Sequence, residues 1–203
     1  MKIILATHNS YKVAEIKQIL SDLPSEILSL DNFPSVGEIV EDGKSFEENA
    51  RKKSKSVFEI IHRSNPEMGE FLALADDSGL EVDALGGRPG VYSARYSGEN
   101  ATYGQNNEKL LSELMSVTKE WRGARFRCVI SVYGSGVDEV ASGETRGSIL
   151  ESLKGSNGFG YDPLFLPDGY DLTYAEMPQD LKNTMSHRAK ALQSAGRILR
   201  RLC

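Results

Sequence analysis

Two adjacent aspartates, Asp76 and Asp77, follow directly on the apolar run Phe71 to Ala75 and precede Ser78 and Gly79. A carboxylate is costly to bury unless it is paired, so such a pair at a strand end is either a solvated turn or a working site. Asp, Ser and Gly favour turns for local reasons, and Ser78-Gly79 reads as one. Side chains alternate along a strand, so the two aspartates should point to opposite faces. One of the two is then structural, and the other is available for metal or catalytic work. Two more acids stand upstream, Glu41 and Glu48. A hard cation such as Mg2+ usually takes one or two protein carboxylates and fills its other positions with water and phosphate oxygens. Glu48 already has a local role, closing the S-x-x-E capping box opened by Ser45. Glu41, in the acidic turn Glu41-Asp42-Gly43, has none.

Three further stretches carry chemistry. In "LATHNSYK" a loop leaves a strand and enters a helix, which turns backbone N–H groups and the positive helix end outward as an anion site. Thr7, His8, Asn9, Ser10 and Tyr11 form the loop, and Lys12 adds a cation in the first helical turn, although no Walker sequence is present. In "NGFGYDP" the glycines around Phe159 (Gly158 and Gly160) let backbone and ring approach a flat ligand. Tyr161 follows, and Asp162 offers an acceptor for ring N–H groups. In "LKNTMSHRAKAL", Lys182, His187 and Arg188 gather near a helix start, where the macrodipole disfavours cations unless an anionic or carbonyl-bearing partner is present. Each stretch has an ordinary reading: a polar connection, a glycine turn around a core aromatic, a solvated basic face. Together they describe a phosphate loop, a hard-metal carboxylate, a stacking surface and donors for a base carbonyl, which is a nucleoside triphosphate site.

The elements that must position these groups are legible from periodicity. Lys2 to Ala6 is an apolar strand, and Val13, Ile16, Ile19 and Leu20 recur at helical spacing from Tyr11 to Leu20. "SEILSLDNFP" supplies a second strand. Ser45 to His62 is a helix with Phe46, Ala50, Val57 and Ile61 on one face. "FLALA" and "LEVDAL" read as two short strands separated by the Ser78-Gly79 turn. A helix follows through Leu110, Leu111 and Leu114, then a hairpin turning at Gly134-Ser135-Gly136. Ser186 is a cap for a last helix, with Leu192, Ala195, Ile198, Leu199 and Leu202 facing inward. Alternating α/β units with a long antiparallel hairpin predict a mixed central sheet flanked by helices.

Bulk properties exclude other classes. The chain has 203 residues, 39% of them hydrophobic and 26% charged, and a formal net charge of −5. That length suits one domain of one or two lobes, and the negative balance argues against a general nucleic-acid or membrane surface. Two cysteines, Cys128 and Cys203, make neither a disulfide framework nor a zinc site. The apolar part of "MKIILATHNS" is too short for a secretory signal, so a cytoplasmic setting is expected.

"LATHNSYK", "SFEENARKK", "ALADDSGLEVDALGGRPGVYSARYSG", "NNEKLL", "GFGYDPLF", "TYAEM" and "MSHRAKAL" run in the order found in the inosine triphosphate pyrophosphatase family, whose members are also called XTP/dITP diphosphatases. The resemblance covers residues 5 to 192. It implies a single nucleotide pyrophosphatase domain over 1–203, of two lobes with a cleft between them. It also implies a homodimer, Mg2+ as cofactor, and hydrolysis of ITP, dITP and XTP to the monophosphate and pyrophosphate, which cleanses the nucleotide pool. By position it makes Thr7 to Lys12 the phosphate loop, Asp77 the catalytic carboxylate and a metal ligand, and Glu41 the other metal ligand. Lys53 falls near phosphates and Ser78 beside the substrate. Phe159, Gly160, Tyr161, Asp162, Lys182, His187 and Arg188 fall at base- and substrate-binding positions. This sequence departs from the pattern at Tyr11, where glycine is usual, at Lys154 for arginine and at Ser54 for alanine.

The residues fit that chemistry. Asp77 would orient or deprotonate a water attacking the α-phosphorus in line with pyrophosphate. Donors from Lys182, His187 or Arg188 at a 6-keto oxygen would reject adenine, whose amino group leaves them unpaired. Asp77→Asn should abolish turnover with the fold intact, and Asp76→Asn should be milder. The alternative is a pyrophosphatase of related architecture acting on modified pyrimidine or methylated nucleotides. A non-catalytic nucleotide sensor would be expected to lack Asp77, Glu41 or Lys53.

Overall fold

The computed structural model describes residues 1–202; Cys203 lies outside the described residues. The architecture is α/β: a six-stranded mixed sheet in the order β2-β1-β3-β4-β5-β6, flanked by helices. The strands are β1 (Lys2–Leu5), β2 (Glu26–Ser29), β3 (Phe71–Val82), β4 (Gly123–Gly134), β5 (Val137–Ile149) and β6 (Phe165–Pro167). The helices are α1 (Ser10–Ile19), α2 (Phe46–Ser64), α3 (Tyr103–Glu113), α4 (Gln179–Met185) and α5 (His187–Leu202). β1 pairs in parallel with β2 and with β3, and β5 pairs antiparallel with β6. β4 and β5 are neighbours joined through Ser135 and Gly136, the latter at φ +77°, as the hairpin signal required.

The chain forms two compact units, each assembled from separate stretches. The first holds residues 1–77, 128–143 and 188–203; the second holds 78–127 and 144–187. In the first unit the strand period of two sorts the core into two layers. Ile3 and Leu5 of β1 and Leu72 and Leu74 of β3 pack with Ile16 of α1, with Leu20 just past its end, and with Leu192, Ala195 and Leu199 of α5. Ile4, Phe71, Ala73 and Ala75 face the other way, onto Val57 and Ile61 of α2. Burying both faces explains why these strands read as continuous apolar runs. In the second unit Leu80, Val82, Leu110, Leu114, Phe126, Tyr161, Phe165 and Tyr174 make one core.

The structure corrects three local expectations. No turn interrupts the chain at Ser78-Gly79: β3 continues through both aspartates to Val82, so "FLALA" and the first three residues of "LEVDAL" share one strand, and Asp83–Leu85 form a 3-10 turn. Pairing in a sheet satisfies the backbone there, overriding the local turn preference of Asp, Ser and Gly. The capping box of α2 is only half formed. Ser45 Oγ accepts from Glu48 N, but the Glu48 carboxylate accepts from Lys44 N, one residue outside the cap. Leu202 is exposed, while Leu192, Ala195, Ile198 and Leu199 are buried as expected. Cys128 is a fully buried core residue of β4. No helix among the described residues is long and apolar enough to cross a membrane.

Candidate active site

The alternation that sorts the core also separates the two aspartates. Asp76 continues the Leu72–Leu74 row toward α1 and α5, and Asp77 continues the Ala73–Ala75 row toward α2. Asp76 accordingly meets Lys12 of α1, with N···O 3.1 Å, and Arg188 of α5, with Nη2···Oδ2 3.3 Å. Arg188 also donates to Glu15 of α1. Burial alone would raise the Asp76 carboxyl, but Lys12, Arg188 and Lys53 overcome it and hold the group far below the usual carboxylate range. Asp76 therefore satisfies no turn. It is the buried anion on which α1 and α5 converge.

Asp77 has a different environment. Its Oδ2 accepts from Asn49 Nδ2 at 3.0 Å, and its Oδ1 lies 3.7 Å from Lys53 Nζ. Lys53 Nζ also lies 3.1 Å from Glu41 Oε1 and donates to the Asp76 carbonyl. Burial raises the Asp77 carboxyl to about 6, with Glu41 adding to the rise and Lys53, Lys12 and Asn49 opposing it. The Lys53 ammonium is held charged: burial works against it, but Asp76, Asp77 and Glu41 more than compensate. The β3 register thus produces one strongly ionised aspartate beside one whose carboxyl is raised to about 6.

Glu41 and Asp77 share a single ammonium, and the Glu41 charge pushes the Asp77 proton affinity upward. Among the described residues no group of three or more His, Cys, Asp or Glu side chains is arranged for a metal. Two carboxylates are nevertheless the usual protein share of a Mg2+ site, whose other positions go to water and phosphate. Their mutual repulsion is what a dication would relieve, so the pair fits the expected ion.

The Thr7–Lys12 loop differs from the amide cradle expected of it. Thr7 Oγ1 accepts from Asn9 N at 3.1 Å, and Asn9, the N-cap of α1, accepts from Tyr11 N and Lys12 N. Three backbone amides foreseen as anion donors are thus engaged within the loop. Tyr11 is 55% exposed, so the residue found where the family has glycine projects into solvent instead of crowding the core. His8 and Ser10 are exposed, with His8 Nδ1 3.7 Å from Asp31. Ser78, the next residue of β3, is half-buried.

In the second unit the glycine-rich loop is organised around Asp162. Its Oδ2 accepts from Phe159 N at 2.9 Å and from Lys182 Nζ at 2.7 Å. Gly158, at φ +74°, has no room for a Cβ, which would lie 2.0 Å from that same oxygen. The Lys182 ammonium lies 5.3 Å from the Phe159 ring centroid and 5.4 Å from that of Tyr174, within cation–π range. Phe159 and Gly160 stay half-exposed, whereas Tyr161 is buried and donates its hydroxyl to Ser93 O at 2.9 Å. The His187 ring stacks on Phe126 at 4.7 Å. Phe159, Asp162 and Lys182 therefore form one cluster, with Gly160 in its loop. Arg188 belongs to the Asp76 cluster of the first unit instead.

Sequence reasoning passed over three side chains that these clusters need. Glu15 lies among Lys12, Ile16 and Ile19 on the inner stripe of α1. Asn49 lies among Phe46, Ala50 and Lys53 on that of α2. A charged or amide residue inside an apolar helical stripe was the available signal. Asn107, on the buried side of α3, donates to Gly160 O at 3.0 Å.

An α/β fold carrying a paired-acid, lysine-rich cluster and an aromatic–lysine cluster defines a nucleotide-handling class of protein. The chain belongs to the Ham1 family, whose model matches residues 3–197. Two curated relatives are each named dITP/XTP pyrophosphatase. The Clostridium perfringens protein is 49% identical over 95% of this chain and 94% of its own length. The Geobacter sulfurreducens protein is 52% identical over 94% and 92% respectively. A solved structure of a HAM1 protein from Coxiella burnetii superposes with a TM-score of 0.86 at 37% identity, covering 99% of both chains. The Staphylococcus aureus Ham1 protein gives 0.84 at 36%, covering both chains in full. The family resemblance and the fold read from the motifs are borne out.

Proposed function

We propose that this chain hydrolyses nucleoside triphosphates of hypoxanthine and xanthine (ITP, dITP and XTP) between the α and β phosphates, releasing the monophosphate and pyrophosphate. The names of its relatives support the substrate class. The observation that carries the chemistry is Asp77, a buried carboxylate raised to about 6 and flanked by Asn49 and Lys53. At neutral pH it is ionised yet basic enough to take a proton from water attacking the α-phosphorus. Asn49 fixes the orientation of one Asp77 oxygen, so the proton acceptor does not have to search for its position. Lys53 and Lys12 supply positive charge against the phosphates, Lys12 from a side chain that stays 17% exposed.

Glu41 and Asp77 would hold Mg2+, which when bound supplies charge neutralisation at the phosphate oxygens. Phe159 offers its half-exposed ring to the base, and Lys182 and His187 are the donors assigned to the 6-keto oxygen. Arg188 is assigned to holding Asp76 and, through it, Lys12. The same reading takes the homodimer as the assembly and the cytoplasm as the location.

Product analysis with Mg2+ tests it. Pyrophosphate and IMP from ITP, with ATP and GTP barely consumed, is the expected result. Orthophosphate and IDP would move the cut to the γ-phosphate and refute the placement of the attacking water. Turnover of modified pyrimidine nucleotides alone would refute the base assignment.

A further inference from the structure

The glycine-rich loop has no regular backbone ladder of its own. Gly155, Gly158 and Gly160 all take positive φ, and the Phe159 ring it carries is only half-buried. Within the loop Asp162 Oδ2 holds the Phe159 amide, and helix α3 adds contacts to the ring and to the following carbonyl. Tyr103 and Asn107 are one turn apart and so share one face of the helix. Tyr103 meets the Phe159 ring at 6.2 Å between centroids, and Asn107 Nδ2 donates to Gly160 O at 3.0 Å.

The preceding residue, Asn106, turns to the other side and grips the segment before the helix. Its Oδ1 accepts from Ser97 N at 2.8 Å and Ser97 Oγ at 3.0 Å, and its Nδ2 donates to Ala94 O at 3.0 Å. That segment in turn receives the Tyr161 hydroxyl at Ser93 O. The tandem asparagines therefore tie the end of the 3-10 helix Gly90–Arg95 with Ser97, and the glycine-rich loop, to one helix. Asn107 is 5% exposed, yet its Oδ1 has no hydrogen-bond partner among the described residues. A buried amide with an idle acceptor is not placed there for packing economy; its donor is the part in use.

We propose that the Tyr103–Asn107 face of α3 is a positioning platform for the glycine-rich loop, setting the height and tilt of Phe159 and so the affinity for the base without touching the reacting atoms. This rests on the reading of Phe159 as the base-stacking residue, but the loop geometry can be tested apart from it. Asn107→Leu removes the side-chain donor to Gly160 O and adds no polar atom of its own. Tyr103→Ala alters the exposed partner, which is 46% accessible, and leaves the core alone.

The experiment measures amide hydrogen exchange by peptide across residues 155–163 together with ITP steady-state kinetics for wild type and both variants. Expected is exchange at least about tenfold faster in that loop, with β4 and β5 unchanged. KM should rise about tenfold while kcat stays within about threefold, as for loss of one positioning hydrogen bond. Unchanged loop exchange in both variants, or a fall in kcat at constant KM, would overturn the platform. If Asn107→Leu unfolds, Tyr103→Ala alone decides, because its side chain carries no buried load. If wild type fails to turn over ITP, the functional reading falls while the exchange result still settles the platform.

Discussion

Asp76→Asn and Asp77→Asn should move stability in opposite directions, although the residues are neighbours on one strand. In metal-free protein the Asp77 carboxyl titrates at about 6 against 3.8 for an ordinary aspartate. The folded state therefore binds this proton more tightly than the unfolded chain does. The group's stabilising contribution is full below the unfolded pKa and is lost as pH rises through about 6. At about 1.36 kcal/mol per pKa unit, the ionised side chain opposes folding by up to roughly 3 kcal/mol at pH 8. Asparagine keeps the shape and cannot ionise, but Lys53 then loses one counter-charge, so about 1–2 kcal/mol returns. For a chain of this size that is roughly 2–8 °C in Tm.

Asp76 is the opposite case. Its folded pKa is depressed, so its contribution is present above the ordinary aspartate value and lost as pH falls below it. Asparagine there leaves Arg188 and Lys12 short of a buried anion, which costs about 3–5 kcal/mol. The assay is calorimetry in EDTA at pH 8 and pH 4.5, with ITP turnover measured separately in Mg2+. Asp77→Asn should melt higher at pH 8, keep only about a third of that gain at pH 4.5, and lose about 10²–10⁴-fold in turnover. Asp76→Asn should melt lower at pH 8. A lower Tm for Asp77→Asn at pH 8, or a shift equal at both pH values, would refute the reasoning.

Mg2+ should raise the wild-type Tm by the amount expected of a ligand that binds only the folded state, up to about 2.7 kcal/mol at a hundredfold excess over Kd; Glu41→Ala should lose that response, and a full response in the variant would remove Glu41 from the metal site. Ser54, the departure from the family's alanine, shares a buried hydrogen bond of 2.8 Å with Ser131. Each single change to alanine should destabilise by about 1 kcal/mol, and the double variant by less than the sum, in a denaturation cycle. Arg122 is buried and donates to the carbonyls of Val117, Leu150 and Leu114, stapling the end of α3. Arg122→Met should cost about 2–4 kcal/mol by leaving those carbonyls unmet, with KM for ITP unchanged in the fraction that stays folded.

Much of this molecule could be read without coordinates, because the patterns that reveal it are local. The apolar runs of β1 and β3 and the helical stripes of α1, α2 and α5 follow from backbone period alone, as does the β4–β5 turn at Gly134-Ser135-Gly136. Residues that stand against local preference were legible too: two carboxylates directly after an apolar run, and His187 and Arg188 at the start of α5. Even the opposite facing of Asp76 and Asp77 was foreseeable from the pleat. The environment each one faces was not. Long-range packing puts Lys12 and Arg188, from the two ends of the chain, on Asp76 and gives Asp77 to Asn49 and Lys53. A pKa depends on burial and on charges brought together across the fold, so neither the depressed nor the raised carboxyl can be deduced from sequence spacing. The same reason hid Asn107, whose partner Gly160 is 53 residues away. The sequence determined the elements and the candidate groups. Tertiary structure alone decided which acid is a fixed counter-charge and which is raised toward neutral pH, because that choice is made by neighbours the chain order does not reveal.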